Sequence, residues 1–297
     1  MLLAQTADGI ARVDAHGLLL LDHRGTLEEL IRDGRLPELE SSPARKRIAW
    51  QAASVQPPVR RPGKIIVIGL NYRDHAAEIG SALPALPRFH LIPSSAVTAP
   101  FACVHLPRIA PDRVDYEGEL AIVIGRAGRD IPEAAAWDHV AGGTVANDLS
   151  ARDVQAGENP AVATASPALA KGFDGFKPLG PALLTADELR CHPALGITTE
   201  VNGILRQRST TAQLIFPVPR LVAFLSSLLT LEPGDVILTG TPGGTGVAAG
   251  RYLATGDTVT ITIERIGSLT TTIAGGQDGP SRPWAELAAH RTLPTNR

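Results

Sequence analysis

The chain has 297 residues, 44% hydrophobic and 20% charged, and its 28 lysines and arginines nearly cancel 30 aspartates and glutamates for a net charge of −2. That composition supports a sizeable core, in two domains or one large domain with a small appendage, and argues against disorder. The balanced charge argues against a general nucleic-acid or polyanion binder, and 4% aromatics supply few base-stacking platforms.

Residues 1–23 read as two short strands around a turn at Ala15-His16-Gly17. Residues 26–35 read as a helix, because Thr26 followed by Glu29 has the form of a capping box. The stretch from Pro57-Pro58 to Arg61-Pro62-Gly63 blocks regular structure and marks a boundary, with a small N-terminal domain over 1–60 and a larger one over 61–297. Beyond it, KIIVIG at 64–69 is a β-branched run and hence a buried strand. A short polar helix is expected over 71–79, buried strands over 119–125 (ELAIVIG) and 143–147 (GTVAN), and a helix over 218–229. A turn at Pro233-Gly234 leads into a strand and then the glycine-rich GTPGGTG, and DTVTITIE at 257–264 alternates as a half-exposed strand does. Strands dominate and helices are short, which suits an α+β, mainly-β fold. No tandem repeat or heptad series is visible. Two distant cysteines, Cys103 and Cys191, make neither a disulfide framework nor a zinc site, so a reducing cytoplasm is the expected compartment. The N-terminal segment lacks the charged and apolar regions of a signal peptide, and the apolar run 18–21 is far short of the ~20 residues of a membrane helix.

Five constellations could carry chemistry. In Asp115-Tyr116-Glu117-Gly118-Glu119 the glutamates are two apart on a strand and point the same way. They stand at the mouth of a segment apolar on both faces, with Ala121 and Val123 on their own side and Leu120, Ile122 and Ile124 on the other. Like charges in such a place are costly unless neutralised, and a hard divalent cation with oxygen ligands would do so; alone, the pair also fits a solvated strand end. Asp148 is either a third carboxylate for that cation or a turn residue, since Ser150 with Asp153 has the form of a capping box. Arg152 and Gln155 share a helix face and could donate to an anionic, carbonyl-rich ligand. His75 and Glu78 form either a carboxylate-oriented general base or a charged, solvated helical turn. Lys171, one of only four lysines, could set an ammonium against a bound carboxylate or enolate, or lie in a surface loop. The loop from Thr239 to Gly246 lacks P-loop and Rossmann settings. It reads as a tight turn, or as one whose amides and Thr241 hydroxyl approach a ligand carboxylate. The remaining histidines, His90 among them, show no ligand spacing, and no GxSxG nucleophile elbow is present.

In this order, KIIVIGLNYRDHAAE, DYEGELAIVIG, TVANDLSARDVQ, KGFD…PLGP, VNG…RQ and LEPGDVILTGTPGGTG resemble the fumarylacetoacetate hydrolase family over about 64–269. The small size and the HxxE after GLNY resemble its bacterial single-chain branch. The resemblance implies a mixed β-sandwich roll with a small N-terminal domain, one Mg²⁺ or Mn²⁺, a homodimer, and a small 2-oxo (β-diketo) acid substrate with no nucleic-acid or membrane partner. It implies Glu117, Glu119 and Asp148 as metal carboxylates and His75 with Glu78 as the water-activating pair. It implies Lys171 as a catalytic cation and Arg152, Gln155, Thr241 and Tyr72 as substrate-holding residues. The implied reaction is C–C hydrolysis, with the metal as Lewis acid and activated water attacking the distal carbonyl; decarboxylation, isomerisation and hydration share the metal step. Two departures stand out. Leu91 occupies a place where the family commonly carries lysine, and 156–170 lacks the usual tryptophan-containing segment. Both are expected to border the substrate's distal end and to favour a less polar or bulkier substrate.

Overall fold

The β-branched runs form the middle of one large sheet. Ile65–Gly69 pairs in parallel with Val236–Leu238, which runs antiparallel to Gly118–Ile124, followed by Val140–Asn147 and Lys177–Thr185. Arg88–Ile92 is the edge strand beside Ile65–Gly69. The computed structural model describes residues 1–50, 54–162 and 164–276, so 277–297 of the expected larger domain lie outside the described residues.

The N-terminal residues extend this same sheet. Leu2–Thr6 pairs with Lys177–Thr185, and Gly9–Asp14, Gly17–Leu21 and Ala44–Ile48 follow in order; with Val55–Gln56 beside Leu2–Thr6 and Val97–Thr98 beside Lys177–Thr185 the sheet has twelve strands. Three strands form where two were expected before residue 23. The extra turn is closed by Thr6, whose hydroxyl accepts from Asp8 N–H and donates to Gly9 O. The capping box forms as expected on the helix Leu27–Arg32, with Glu29 N–H on the Thr26 hydroxyl and Thr26 N–H on the Glu29 carboxylate.

A second sheet of five strands runs in the order Ile204–Thr210, Gly196–Val201, Thr258–Ile263, Gly267–Ala274, Cys103–His105. In Thr258–Ile263 the valine and isoleucines are buried and the threonines half-buried, as the alternation requires. Leu120, Ile122 and Ile124 of the large sheet join Ile197, Val259, Ile261 and Leu269 in one core cluster. Ala121 and Val123 point the other way, into a cluster with Val67, Val236 and Leu238. The strand Gly118–Ile124 is therefore buried on both faces, and the acidic residues at its start lie at the junction of the two sheets. Gly118 permits that junction, since a Cβ there would lie 2.3 Å from Thr199 Oγ1. Among the described residues no helix is long and apolar enough to cross a membrane.

Candidate metal centre and active site

Strand register assembles the carboxylates. Gly118 sits opposite Asn147, and Asp148 N–H donates to Glu117 O at 2.8 Å. Glu117, Glu119 and Asp148 are all buried, and each offers an oxygen within 4.8 Å of the others. Lys171, ending the helix Pro167–Lys171, places Nζ 2.6 Å from Glu117 Oε2, 2.5 Å from Asp148 Oδ2 and 2.8 Å from Ser150 Oγ. The alternative of a Ser150 helix cap is not the one that forms: its hydroxyl serves Lys171 and Asp148 O, and Arg152–Ala156 begins after Ala151 with no side-chain cap. Arg152 donates to Asp115 (2.9 Å from Nε), Glu117 (2.6 Å from Nη2) and Gln155 (2.8 Å from Nη1).

Charge accounting shows what this cluster lacks. Among the described residues, buried Asp115, Glu117, Glu119 and Asp148 face buried Arg152, Lys171 and Lys177. Glu117 is compensated: burial opposes its charge, but Lys171 and Arg152 hold its carboxyl below the usual carboxylate range. Lys171 is likewise kept charged against burial by Asp148 and Glu117. Among the described residues Glu119 accepts one hydrogen bond, from Gly240 N–H at 2.7 Å. Burial, reinforced by Asp148 and Glu117, pushes its carboxyl well above the usual range. Three converging hard oxygen donors with one charge left unmatched fit a divalent cation.

Lys177 has no role in the sequence reading, although it is one of the four lysines and adjoins the Pro-Leu-Gly-Pro segment. It is fully buried and donates to Leu149 O and Phe176 O, both at 3.1 Å, and to Lys171 O. Its Nζ lies 2.8 Å from Asp148 Oδ1 at an angle that makes an ion pair but no aligned hydrogen bond.

The glycine-rich loop, whose Thr241 lines the cavity, is tied into the acidic groups of the protein itself. Its amides bind the protein's own carboxylates: Gly240 holds Glu119, Gly244 holds Glu78 at 2.8 Å, and Gly246 and Val247 hold Asp115 at 2.8 and 3.0 Å. Thr241 donates to Gly118 O and accepts from Gln207 Nε2, while Gln207 Oε1 accepts from Gly118 N–H. Gln207 thereby locks the loop to the acidic strand, a role that its RQ motif alone does not specify. His75 Nδ1 lies 3.0 Å from Glu78 Oε2, so the imidazole is oriented with Nε2 left over.

Glu117, Glu119, His75, Arg152, Gln155, Lys171 and Thr241 line a cavity of about 130 Å³. Asp148 connects to it through Lys171 Nζ, and Glu78 through His75. Tyr72 does not line it. The Tyr72 ring is fully buried, its hydroxyl has no hydrogen-bond partner among the described residues, and burial with the Glu119 and Asp74 charges pushes its pKa up. Leu91, expected at the substrate's distal end, is 48% exposed and does not line the cavity. Its neighbour His90 does, by strand alternation. Between 156 and 170 no described residue reaches the cavity either.

The family model for fumarylacetoacetate (FAA) hydrolase, C-terminal, matches residues 64–274. The chain belongs to the fumarylacetoacetate hydrolase family. An uncharacterized protein of Archaeoglobus fulgidus is 46% identical over 221 residues, 74% of this chain and 82% of that protein. The solved structure of 5-carboxymethyl-2-hydroxymuconate delta-isomerase from Mycobacterium smegmatis is 35% identical with a TM-score of 0.72, covering 93% of this chain and 100% of that one. Maleylpyruvate hydrolase from Sphingobium sp. SYK-6, in complex with manganese(II) and pyruvate, is 29% identical with a TM-score of 0.74, again covering 93% and 100%. Within the fumarylacetoacetate hydrolase family, similarity thus extends to both an isomerase and a hydrolase, and this member carries a buried acidic triad fit for a divalent metal.

Proposed function

We propose that this enzyme uses Mg²⁺ or Mn²⁺, held by Glu117, Glu119 and Asp148, to hydrolyse a C–C bond in a small 2-oxo acid. The observation that carries the reading is the unmatched buried carboxylate of Glu119 beside an oriented histidine in one small cavity. When bound, the cation supplies Lewis acidity toward the acid's carboxylate and keto oxygens.

The chain's own groups supply the rest. His75, held on Glu78 through Nδ1, presents Nε2 to take a proton from water as general base. Glu78 is itself fixed by Gly244 N–H, so it orients the ring. Gln155 accepts from Arg152 through Oε1, which leaves its NH₂ for a substrate oxygen. Lys171 keeps a charged ammonium where negative charge develops on the departing fragment. A 130 Å³ cavity is well below the roughly 300–1,000 Å³ of ordinary ligand pockets, so it takes the 2-oxo carboxylate end and leaves a longer chain to extend outward.

Isomerisation or decarboxylation is the second reading, favoured by the 35% identity to the M. smegmatis isomerase. A panel of 2-oxo acids with Mg²⁺ or Mn²⁺, read by mass spectrometry for cleavage, CO₂ loss or isomer formation, separates the two. His75→Ala should lower kcat by about 10²–10⁴-fold while leaving Mn²⁺ affinity unchanged. No turnover of any 2-oxo acid, or full turnover under chelator, would overturn the proposal.

A further inference from the structure

Most polar groups on the cavity wall are already bound within the protein. Arg152 is directed at Asp115, Glu117 and Gln155, Lys171 at Glu117, Asp148 and Ser150, and Thr241 at Gly118 O and Gln207. Capacity remains on His75 Nε2, on the Gln155 NH₂ and on the ring of His90. His90 stands apart from the other two, because among the described residues its imidazole makes no hydrogen bond or ion pair.

Its placement is not loose. His90 lies on Arg88–Ile92 opposite Val67, and residues 67–70 line the same cavity. The strand is anchored on either side of it: Phe89 packs edge-on against Phe224 with centroids 6.5 Å apart, and Ile92 is buried in the core. Burial and the nearby Lys171 ammonium lower the imidazole pKa, which favours the neutral ring with one donor and one acceptor nitrogen. His90 lines the cavity together with residues 67–70 and His75, and the Lys171 and Asp148 charges both act on its ring.

We infer that His90 is a substrate-contacting, specificity-determining residue: it hydrogen-bonds an oxygen on the substrate's carbon chain beyond the 2-oxo carboxylate end. The second carbonyl that the proposed C–C hydrolysis already requires supplies such an oxygen, and His90 sets how strongly the site prefers a 2,4-dioxo acid over one with a plain alkyl chain. This rests on the 2-oxo acid reading above.

The test compares 2,4-dioxopentanoate with 2-oxopentanoate, which differ at C4 only, by calorimetric titration of Mn²⁺-loaded protein carrying His75→Ala to prevent turnover. One hydrogen bond corresponds to about a three- to tenfold preference for the dioxo acid. Adding His90→Leu should shrink the preference by that factor, with affinity for 2-oxopentanoate and for Mn²⁺ unchanged. Adding His90→Asn, which keeps an N–H, should restore part of it. An unchanged preference in His90→Leu, equal weakening of both ligands, or a loss of Mn²⁺ affinity would each overturn the inference. Failure of the His90-bearing protein to bind either acid with Mn²⁺ present would instead remove the 2-oxo acid reading, and this inference with it.

Discussion

Replacing Asp115 with asparagine probes whether the metal centre is held from behind by a buried carboxylate. Asp115 is fully buried, and its Oδ1 accepts from Tyr116 N–H and Gly246 N–H, both at 2.8 Å. Its Oδ2 accepts from Val247 N–H at 3.0 Å and Arg152 Nε at 2.9 Å, with Arg152 Nη2 at 2.7 Å. Burial raises its pKa while Arg152 opposes that rise, so this pair offsets a desolvation cost more than it adds net stability. Asparagine keeps one acceptor and turns the other into a donor. In either amide orientation two N–H groups then face an NH₂. Two charge-assisted hydrogen bonds at about 1.5–3 kcal/mol each give about 3–6 kcal/mol, in line with about 3–5 kcal/mol for breaking one side of a buried ion pair. At about 2–4 °C per kcal/mol, Asp115→Asn should lower Tm by roughly 6–24 °C in scanning calorimetry. Arg152 also holds Glu117, so Mn²⁺ affinity should fall about 10–100-fold, the range for losing a support of a metal ligand. A loss under about 1 kcal/mol with unchanged Mn²⁺ affinity would refute the idea that Asp115, Arg152 and Glu117 act as one chain.

The raised pKa of Glu119, due to burial and then to Asp148 and Glu117, sets a pH dependence for the metal-free protein. The folded state keeps a proton that the unfolded chain has released, so this contribution is complete below about pH 4.3 and is lost as pH rises toward the folded pKa. Metal-free Tm should therefore fall with rising pH above about 5; Glu119→Gln should flatten that slope and weaken Mn²⁺ binding by at least about 100-fold in calorimetric titration. Lys177→Met leaves Asp148 Oδ1 without its cation and three backbone carbonyls without their donor, an expected loss of about 3–5 kcal/mol in urea unfolding. Gly244→Ala meets both a left-handed φ of +96° and a Cβ position 2.1 Å from Arg206 O. It should cost at least about 1–3 kcal/mol in the same assay and lower kcat by displacing the N–H that holds Glu78.

Local periodicity made much of the fold legible. The β-branched run at 65–69, the apolar stretch after Glu119 and the alternation at 258–263 are strands because side-chain period and propensity act over a few residues. The Thr26–Glu29 capping box is equally local. Glu117 and Glu119 converge as their spacing suggested, although Glu117 stands just before the strand Gly118–Ile124 rather than on it, and the three-residue spacing let His75 reach Glu78. The features left open in sequence were those whose partners come from far along the chain. Ser150 and Asp153 match a helix cap in sequence, but Lys171, 21 residues away, takes the Ser150 hydroxyl. The amides of the glycine-rich loop have no stated partner in sequence, and folding supplies carboxylates more than 100 residues earlier.

The sequence by itself determined that the runs at 65–69, 119–124 and 258–263 are strands, that the N-terminal helix is capped, and that acidic residues stand at the mouth of a doubly buried strand. These follow from backbone geometry and solvent avoidance within a short window. Only the tertiary structure decided how the charges are matched: Arg152 and Lys171 compensate Glu117, Lys177 reaches Asp148, and Glu119 is left over. The near-zero net charge of the whole chain says nothing about that local imbalance, because electrostatic cost depends on burial and distance, and both are set by which strands pair. The same reason moves attention from Leu91 to His90: adjacent residues on a strand point opposite ways, and only the packed edge of the sheet shows which one meets the cavity.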